Sequence, residues 1–152
     1  MLSHKAKYAL KALLVLAQEY GQGPILISDI ANRENVPRKF LELILLELKN
    51  NGLLQSKKGK GGGYSLARPP ELIHVGDVLR VVDGPIALLP CVSKSAYTRC
   101  EECRDERTCG IRLVMKDVRD ATSQILDATS LADLLKRVVA VGRGKEGMDF
   151  AI

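Results

Sequence analysis

Residues 35–66 read NVPRKFLELILLELKNNGLLQSKKGKGGGYSL, and they contain the most informative pattern of the chain. Its first half predicts an amphipathic helix, because four apolar residues recur at positions i, i+3, i+4 and i+7. They are Leu41, Ile44, Leu45 and Leu48. Pro37 suits the first position of this helix, and Asn50-Asn51-Gly52 would end it. The second half predicts two short strands, the second beginning at Tyr64, around a basic glycine-rich tip.

The residues upstream complete a recognisable arrangement. Residues 27–33 (ISDIANR) predict a short helix with Ser28 as its N-cap, and Glu34-Asn35-Val36 predicts a tight turn. Two short helices with a short connection, followed by a two-stranded ribbon, are typical of a winged helix-turn-helix. We therefore predict a mainly α fold with a small β-wing, preceded by an amphipathic helix at Ser3–Tyr20.

The charge distribution indicates a polyanionic partner for the first half of the chain. Residues 1–68 contain 11 basic and 5 acidic side chains, while the remainder contains 12 basic and 13 acidic ones. A net charge of +6 therefore lies on residues 1–68 and −1 on the remainder. A solvated basic surface is the alternative. The placement of lysines on the second helix and on the ribbon tip favours nucleic acid.

The tip Lys57-Lys58-Gly59-Lys60-Gly61-Gly62-Gly63 differs from a nucleotide-binding loop, because a strand follows it instead of Ser/Thr and a helix. Three consecutive glycines would let the backbone approach a surface closely, which we interpret as the DNA backbone. A flexible linker or a nucleotide loop is the alternative. Glu42 could accept a hydrogen bond from cytosine, but we favour a role in holding Arg38 or Lys39. The candidate DNA-binding residues are Lys5, Ser28, Arg38, Lys39, Phe40, Glu42, Lys57, Lys58, Gly59, Lys60, Gly61 and Tyr64.

The second half of the chain predicts a sensor loop and a dimerisation helix. Residues 75–83 predict one further helix, and residues 84–108 lack periodicity. From Cys109 to Ala128, apolar residues follow the 3-4 spacing of a coiled-coil seam, which favours dimerisation over an ordinary core helix. This seam consists of Ile111, Val114, Val118, Ala121, Ile125 and Ala128. We divide the chain into a DNA-binding domain (1–83), a cysteine-rich loop (84–108), a dimerisation and closing-helix region (109–141) and a mobile tail (142–152).

Four cysteines, Cys91, Cys100, Cys103 and Cys109, lie within 19 residues in a chain that has no others. No stretch predicts a signal peptide or a membrane span, so we expect a cytoplasmic protein, in which clustered cysteines are more often metal ligands than disulfides. Thiolates suit zinc or an iron–sulfur cluster, and the spacing does not choose between them. Free thiols or a reversible disulfide are the alternative.

Five features together resemble the bacterial IscR/NsrR/CymR family of winged-helix transcription regulators. They are YALKALLVLA, the helix-turn-helix, the wing KGKGGGYSLAR, VGDVLRVVDG and the cysteine loop before a long helix, over roughly residues 1–141. The resemblance implies a homodimer on a pseudo-palindromic DNA operator. It also implies a [2Fe-2S] or [4Fe-4S] cluster, of which we favour the former, held by three cysteines and a fourth ligand.

The chain departs from the family pattern at the fourth ligand. Where relatives place a histidine after the last cysteine, or an acid in the first helix, this chain has Arg112 and Lys7. Neither is a metal ligand, so the additional Cys100 could complete a four-thiolate set. Zinc therefore stays an alternative to the cluster.

We expect a dimeric, sequence-specific DNA-binding regulator whose operator binding depends on the cluster, with iron, redox state or nitric oxide as the signal. The alternatives are the same scaffold sensing through thiol oxidation or a small effector, and a ferredoxin-like electron carrier. We find no catalytic triad, paired carboxylates or nucleotide loop, so we do not expect an enzyme.

Overall fold

The computed structural model describes residues 2–149, with side chains up to residue 143. Six α-helices and one antiparallel pair of strands follow one another along this part of the chain. They are α1 (His4–Gln18), α2 (Ile27–Glu34), α3 (Arg38–Asn50), β1 (Leu54–Lys57), β2 (Gly63–Leu66), α4 (Val75–Val82), α5 (Gly110–Ala128) and α6 (Leu131–Asp149). Short 3-10 turns occur at Pro70–Leu72, Pro90–Val92 and Glu106–Thr108. This confirms the predicted fold class of a mainly helical protein with a small wing.

The packing of α2 and α3 confirms the predicted helix-turn-helix. The four apolar residues predicted to form the stripe of α3 are buried, and they pack in one core with α1, α2 and α4. Asn35 adopts the left-handed conformation (φ 53°) at the end of α2, which produces the tight turn before α3. The helix α3, the second helix of the helix-turn-helix and hence its predicted recognition helix, is therefore held in place by its buried face, and its opposite face is left to solvent.

Two expectations about helix starts are wrong by one or two residues. Ser28 does not cap α2, because the N-cap position is Leu26 and no side chain accepts a hydrogen bond there. Pro37 stands at the N-cap of α3 instead of its first position. Leu26 and Pro37 have extended backbone conformations (ψ 144° and 126°), so the helical dihedrals begin at the residue after each.

The wing comprises β1, β2 and the tip between them. Its register pairs Leu54 with Leu66 and Lys57 with Gly63. The backbone of Tyr64 also exchanges two hydrogen bonds with Ile25, at 2.8 and 2.9 Å between nitrogen and oxygen. The ribbon is thus tied to the segment before α2 as well as to α3, which fixes it to the body of the domain.

The closing helix α6 belongs to the same core as the winged helix. Leu131 is fully buried, and the backbone N–H groups of Val75 and Leu131 donate to Thr129 and Ile73 across the two chain segments, each at 2.9 Å. Ser130 and Asp133 form the predicted capping box, with hydrogen bonds of 2.9 and 3.1 Å. The helix α6 also packs against α1 and against the turn at Pro70–Leu72, so the C-terminal region returns to the first helix.

The expectation that this helix ends at Val141 is wrong, while the mobility of the tail from Gly142 stays a prediction. The helix α6 continues to Asp149, while residues 150–152 of the predicted tail lie outside the described residues. Gly142 in a helix costs about 1 kcal/mol relative to alanine, but no proline stops the helix and each further residue closes a backbone hydrogen bond. No helix within residues 2–149 is long and apolar enough to cross a bilayer.

Candidate nucleic-acid interface and cysteine pocket

The residues predicted to contact DNA from α3 lie on its exposed side. Arg38, Lys39, Phe40 and Glu42 are all exposed, opposite the buried stripe. The Arg38 Nε donates to Glu42 Oε1 at 3.2 Å. Glu42 thus makes the contact with a basic neighbour that we expected from the sequence. Lys5 of α1 forms an ion pair with Glu47 of α3 at 2.5 Å. The first helix and the recognition helix thus present linked charges on one surface.

The wing tip carries three exposed lysines, Lys57, Lys58 and Lys60, interleaved with glycines. Gly59 and Gly61 have φ angles of 88° and 75°, which glycine adopts at low cost. Tyr64 differs from these residues, because its ring is half-buried against the core and its backbone is hydrogen-bonded to Ile25. Its contact here is with the protein, and a contact with DNA stays a prediction. Ser28, in the first turn of α2, is half-buried.

The expectation that the three consecutive glycines let the backbone approach DNA is wrong for Gly62 and Gly63. A Cβ at Gly62 would lie 2.3 Å from the carbonyl oxygen of Lys57, and one at Gly63 would lie 2.2 Å from that of Ile25. The surface that these two glycines approach closely is therefore the protein's own backbone. The lysines between the glycines stay exposed, so this correction does not affect their predicted role.

The four cysteines line one open cavity of about 620 Å³. Cys91 is buried on the 3-10 turn at Pro90–Val92, Cys100 is exposed in the following loop, and Cys103 and Cys109 are half-buried. All four are free thiols. Within residues 2–149, no three His, Cys, Asp or Glu side chains converge tightly enough to form a metal-binding group. The four cysteines of the sequence motif therefore lie around one cavity, but they do not form a closed ligand shell.

The chemistry of this cysteine pocket fits a thiolate-binding metal or an iron–sulfur cluster, since four sulfur donors face one cavity. The thiol of Cys100 donates to the carboxylate of Glu102 at 3.0 Å. This hydrogen bond raises the pKa of Cys100 and lowers the pKa of Glu102, because it stabilises the protonated thiol and the ionised carboxylate.

The long helix α5 begins at the cysteine pocket. Cys109 is its N-cap, and the Cys109 sulfur accepts a hydrogen bond from the backbone N–H of Arg112 at 3.5 Å. Two arginines one heptad apart on α5 then bind the turn that carries Cys91. Arg112 donates to the Cys91 carbonyl at 3.3 Å, and Arg119 to the Val92 carbonyl at 2.7 Å. These anchors were missed in the sequence, although the seven-residue spacing of 112 and 119 was visible there.

A second set of contacts ties α5 to the winged helix. The guanidinium of Arg80, on α4, donates two hydrogen bonds to the carboxylate of Asp127, at 2.6 and 2.9 Å. Gly76 leaves room for this ion pair, because a Cβ there would lie 1.9 Å from Asp127 Oδ1. The helix α4 in turn packs against α1 and α3. One continuous set of contacts therefore runs from the cysteine pocket to the recognition helix.

The predicted dimer seam lies uncovered in this single chain. No side chain of α5 is buried, and Ile111, Val114 and Ile125 are 68, 57 and 62% exposed. Val118 and Ala121 are exposed as well. An apolar row of this length on a 19-residue helix is typical of an interaction surface.

The fold and this site define a winged helix-turn-helix regulator of transcription that binds DNA. Residues 2–137 match the family Rrf2, whose description is "Iron-dependent Transcriptional regulator", and the chain belongs to this family. It is 44% identical over 138 residues to an rrf2-like HTH-type transcriptional regulator of Rhodobacter capsulatus, covering 89% of this chain and 92% of that protein.

Two solved structures have the same architecture. The structure of CymR, described as the global cysteine regulator of B. subtilis, matches with a TM-score of 0.75 and 32% identity over 90% of this chain and 97% of that one. The structure of T. potens IscR matches with a TM-score of 0.73 and 31% identity over 91% and 88%. The predicted resemblance to regulators of the IscR and CymR type is thereby confirmed.

Proposed function

We propose that this protein is a homodimeric transcription regulator whose binding to a pseudo-palindromic operator is controlled by an iron–sulfur cluster in the cysteine pocket. The observation that carries the proposal is that four free cysteines line one cavity at the start of the exposed helix α5. Cys91, Cys103 and Cys109 would hold the cluster, and Cys100 would supply the fourth thiolate. When bound, a cluster of this kind supplies redox-sensitive chemistry that oxidant, nitric oxide or iron shortage can destroy.

The residues of the chain suggest how occupancy of the pocket would reach the DNA-binding face. Cys91 lies on a turn whose carbonyls accept hydrogen bonds from Arg112 and Arg119, and Cys109 caps the same helix. A change in the positions of these cysteines therefore shifts the start of α5 relative to the rest of the fold. In a dimer formed along α5, such a shift changes the separation of the two wings.

Thiol oxidation without a metal is a second candidate function. It is supported by the exposed thiol of Cys100 and by the absence of a closed ligand shell within residues 2–149. The similarity to both IscR and CymR is compatible with either form of sensing. A structural zinc site is the remaining alternative for the same four thiolates.

An anaerobic purification separates these functions. We expect a coloured protein with iron and sulfide in stoichiometric amounts, and loss of the visible absorption in Cys91→Ser, Cys103→Ser and Cys109→Ser. Ser95→Ala, an exposed change in the same loop, is the matched control and should retain the spectrum. A colourless protein with one zinc per chain contradicts the cluster, and a metal-free protein that changes DNA affinity with peroxide favours thiol sensing.

Control of DNA binding by the cysteine pocket is tested separately, by comparing the DNA affinity of two forms of the protein. Gel shifts with genomic fragments, using protein with and without its metal, should show sequence-specific complexes whose affinity differs between the two forms. Equal affinity of the two forms for every fragment would mean that the pocket does not control DNA binding.

A further inference from the structure

The outward face of α3 carries a row of large apolar side chains. Phe40, Leu43 and Leu46 are 61, 70 and 46% exposed, and they follow one another at intervals of three residues. Residues at this spacing are neighbours on the surface of a helix. We call these three residues the apolar ridge. It lies opposite the buried stripe of the same helix, so it is not needed for the core of this domain.

The two carboxylates beside the ridge, Glu42 and Glu47, each hold a basic side chain. Arg38 pairs with Glu42 at 3.2 Å, and Glu47 pairs with Lys5 at 2.5 Å. A carboxylate that holds a basic side chain has fewer free lone pairs for a base amine. The part of the recognition helix that projects furthest from the core therefore offers mainly apolar contact, beside the exposed amine of Lys39.

The charges around the ridge indicate what covers it. The recognition helix is followed by a wing whose tip carries three exposed lysines, and residues 1–68 have a net charge of +6. This positively charged surface is complementary to the negatively charged backbone of a nucleic acid. In the major groove of a duplex, the apolar group on the base edges is the C5-methyl group of thymine.

We propose that the apolar ridge recognises thymine methyl groups in the major groove, with Leu43 at the centre of the contact. The inference rests on the proposed binding of DNA and names what the recognition helix selects. Apolar side chains gain free energy by removing a methyl group from water, and they gain nothing from the hydrogen at the same position of cytosine or uracil. The operator should thus contain A·T pairs where α3 meets the groove.

The test begins with sequences that the wild-type homodimer selects from a random duplex library. Each thymine of a selected site is then replaced singly by deoxyuridine, which removes the methyl group and keeps the base pair. We expect binding to become about fourfold weaker for each methyl group that the ridge contacts. Deoxyuridine at thymines outside these positions serves as the internal control.

The matching change in the protein is Leu43→Ala, which completes a double-mutant cycle with the deoxyuridine replacements. This variant should bind the thymine site more weakly and should no longer distinguish thymine from deoxyuridine at the position that Leu43 contacts. Leu72→Ala, which truncates another exposed leucine (55%) outside the recognition helix, is the matched control and should keep the discrimination. Circular dichroism and sedimentation of both variants establish that fold and assembly are retained.

Equal affinity for thymine and deoxyuridine at every position, with binding that is still sequence-specific and salt-dependent, overturns the inference and leaves the proposed function standing. If Leu43→Ala changes the oligomeric state but not the discrimination, the ridge is a protein interface and the inference is wrong. If the wild-type protein binds no duplex at any salt concentration, the proposed function fails together with the inference.

Discussion

At the scale of single residues, the glycines and the lysines of the wing tip have different roles, although they are interleaved in the sequence. Gly62 and Gly63 are needed by the fold, because any side chain would collide with the carbonyls of Lys57 and Ile25. Gly61 is needed only for its φ of 75°, since nothing lies within 4 Å of a Cβ there. The lysines of the tip are exposed, and they are free to contact an anion.

Gly63→Ala should destabilise the domain by roughly 2–3 kcal/mol, because it forces apart the pairing of Tyr64 with Ile25 and adds backbone strain at φ 139°. Urea unfolding followed by circular dichroism measures this loss. The matched control is Gly61→Ala, which imposes strain without a collision and should cost about 1 kcal/mol. Equal losses in the two variants would mean that the close approach to Ile25 does not matter for stability.

Lys58→Ala and Lys60→Ala should weaken DNA binding on all sequences to a similar extent. Each lost phosphate contact lowers the slope of log K against log[salt] by about one, because fewer counterions are released. Fluorescence anisotropy at several salt concentrations gives the slope. Lys136→Ala, an exposed lysine on α6, should leave it unchanged. An unaltered slope in both wing variants would remove the wing from the interface.

At the scale of helices, the junction of α4 with α5 connects the DNA-binding domain to the cysteine pocket. Arg80 holds Asp127 through two hydrogen bonds, and Gly76 provides the space for the pair. The hydrogen bond from Arg80 is the main reason that the pKa of Asp127 lies below its ordinary value, and the positive charge of Arg80 adds to this effect. The ion pair therefore makes the stability of this junction dependent on pH.

Asp127→Asn should lower stability at pH 7 by at most about 1 kcal/mol, because both partners are more than 40% exposed and solvent screens the pair. The folded pKa is depressed, so the contribution is present above the unfolded pKa of about 3.9 and is lost as the pH falls through the folded value. Urea unfolding from pH 7 to pH 3 should show the difference in stability between the two proteins shrinking as the pH falls.

The matched control for this pH dependence is Asp117→Asn, which neutralises an exposed carboxylate elsewhere on α5. Its difference from the wild type should be smaller at pH 7 than that of Asp127→Asn. A difference for Asp127→Asn that stays constant over the whole pH range would show that the ion pair does not contribute through its charge.

At the scale of the whole molecule, α5 is the element that a single chain leaves incomplete. It contacts α4 and two short turns, yet its apolar seam stays uncovered over the length of the helix. The helix and the cysteine pocket at its start would be positioned together by a second copy of the chain. This is why we place dimerisation and sensing on the same element.

Val114→Asp and Ile125→Asp should weaken the dimer by roughly 100-fold or more, since each places an unpaired carboxylate in an apolar interface. Analytical ultracentrifugation at micromolar concentration measures this change. Because both positions are exposed in the single chain, each variant should keep its helical content. Gln124→Asp puts the same carboxylate on α5 outside the seam and should remain dimeric. Monomers in the wild-type protein itself would contradict the proposed assembly.

Several parts of this structure could be predicted from the sequence because they depend on local periodicity and composition. The stripe of α3, the ribbon after Gly52, the length of α5 and the capping box at Ser130 follow from neighbouring residues. The family follows from motifs of the same kind. The clustering of cysteines around one cavity also follows, since all four lie within 19 residues.

The winged helix-turn-helix, the cysteine loop and the long helix after it were predictable without a structure, since each is encoded within a few turns of chain. Three features depend on tertiary contacts: Gly63 faces Ile25, Leu131 returns to the core of the winged helix, and α5 holds the Cys91 turn through two arginines. These contacts join residues 21 to 58 positions apart. Their formation depends on the packing of the whole chain, which local preferences do not specify.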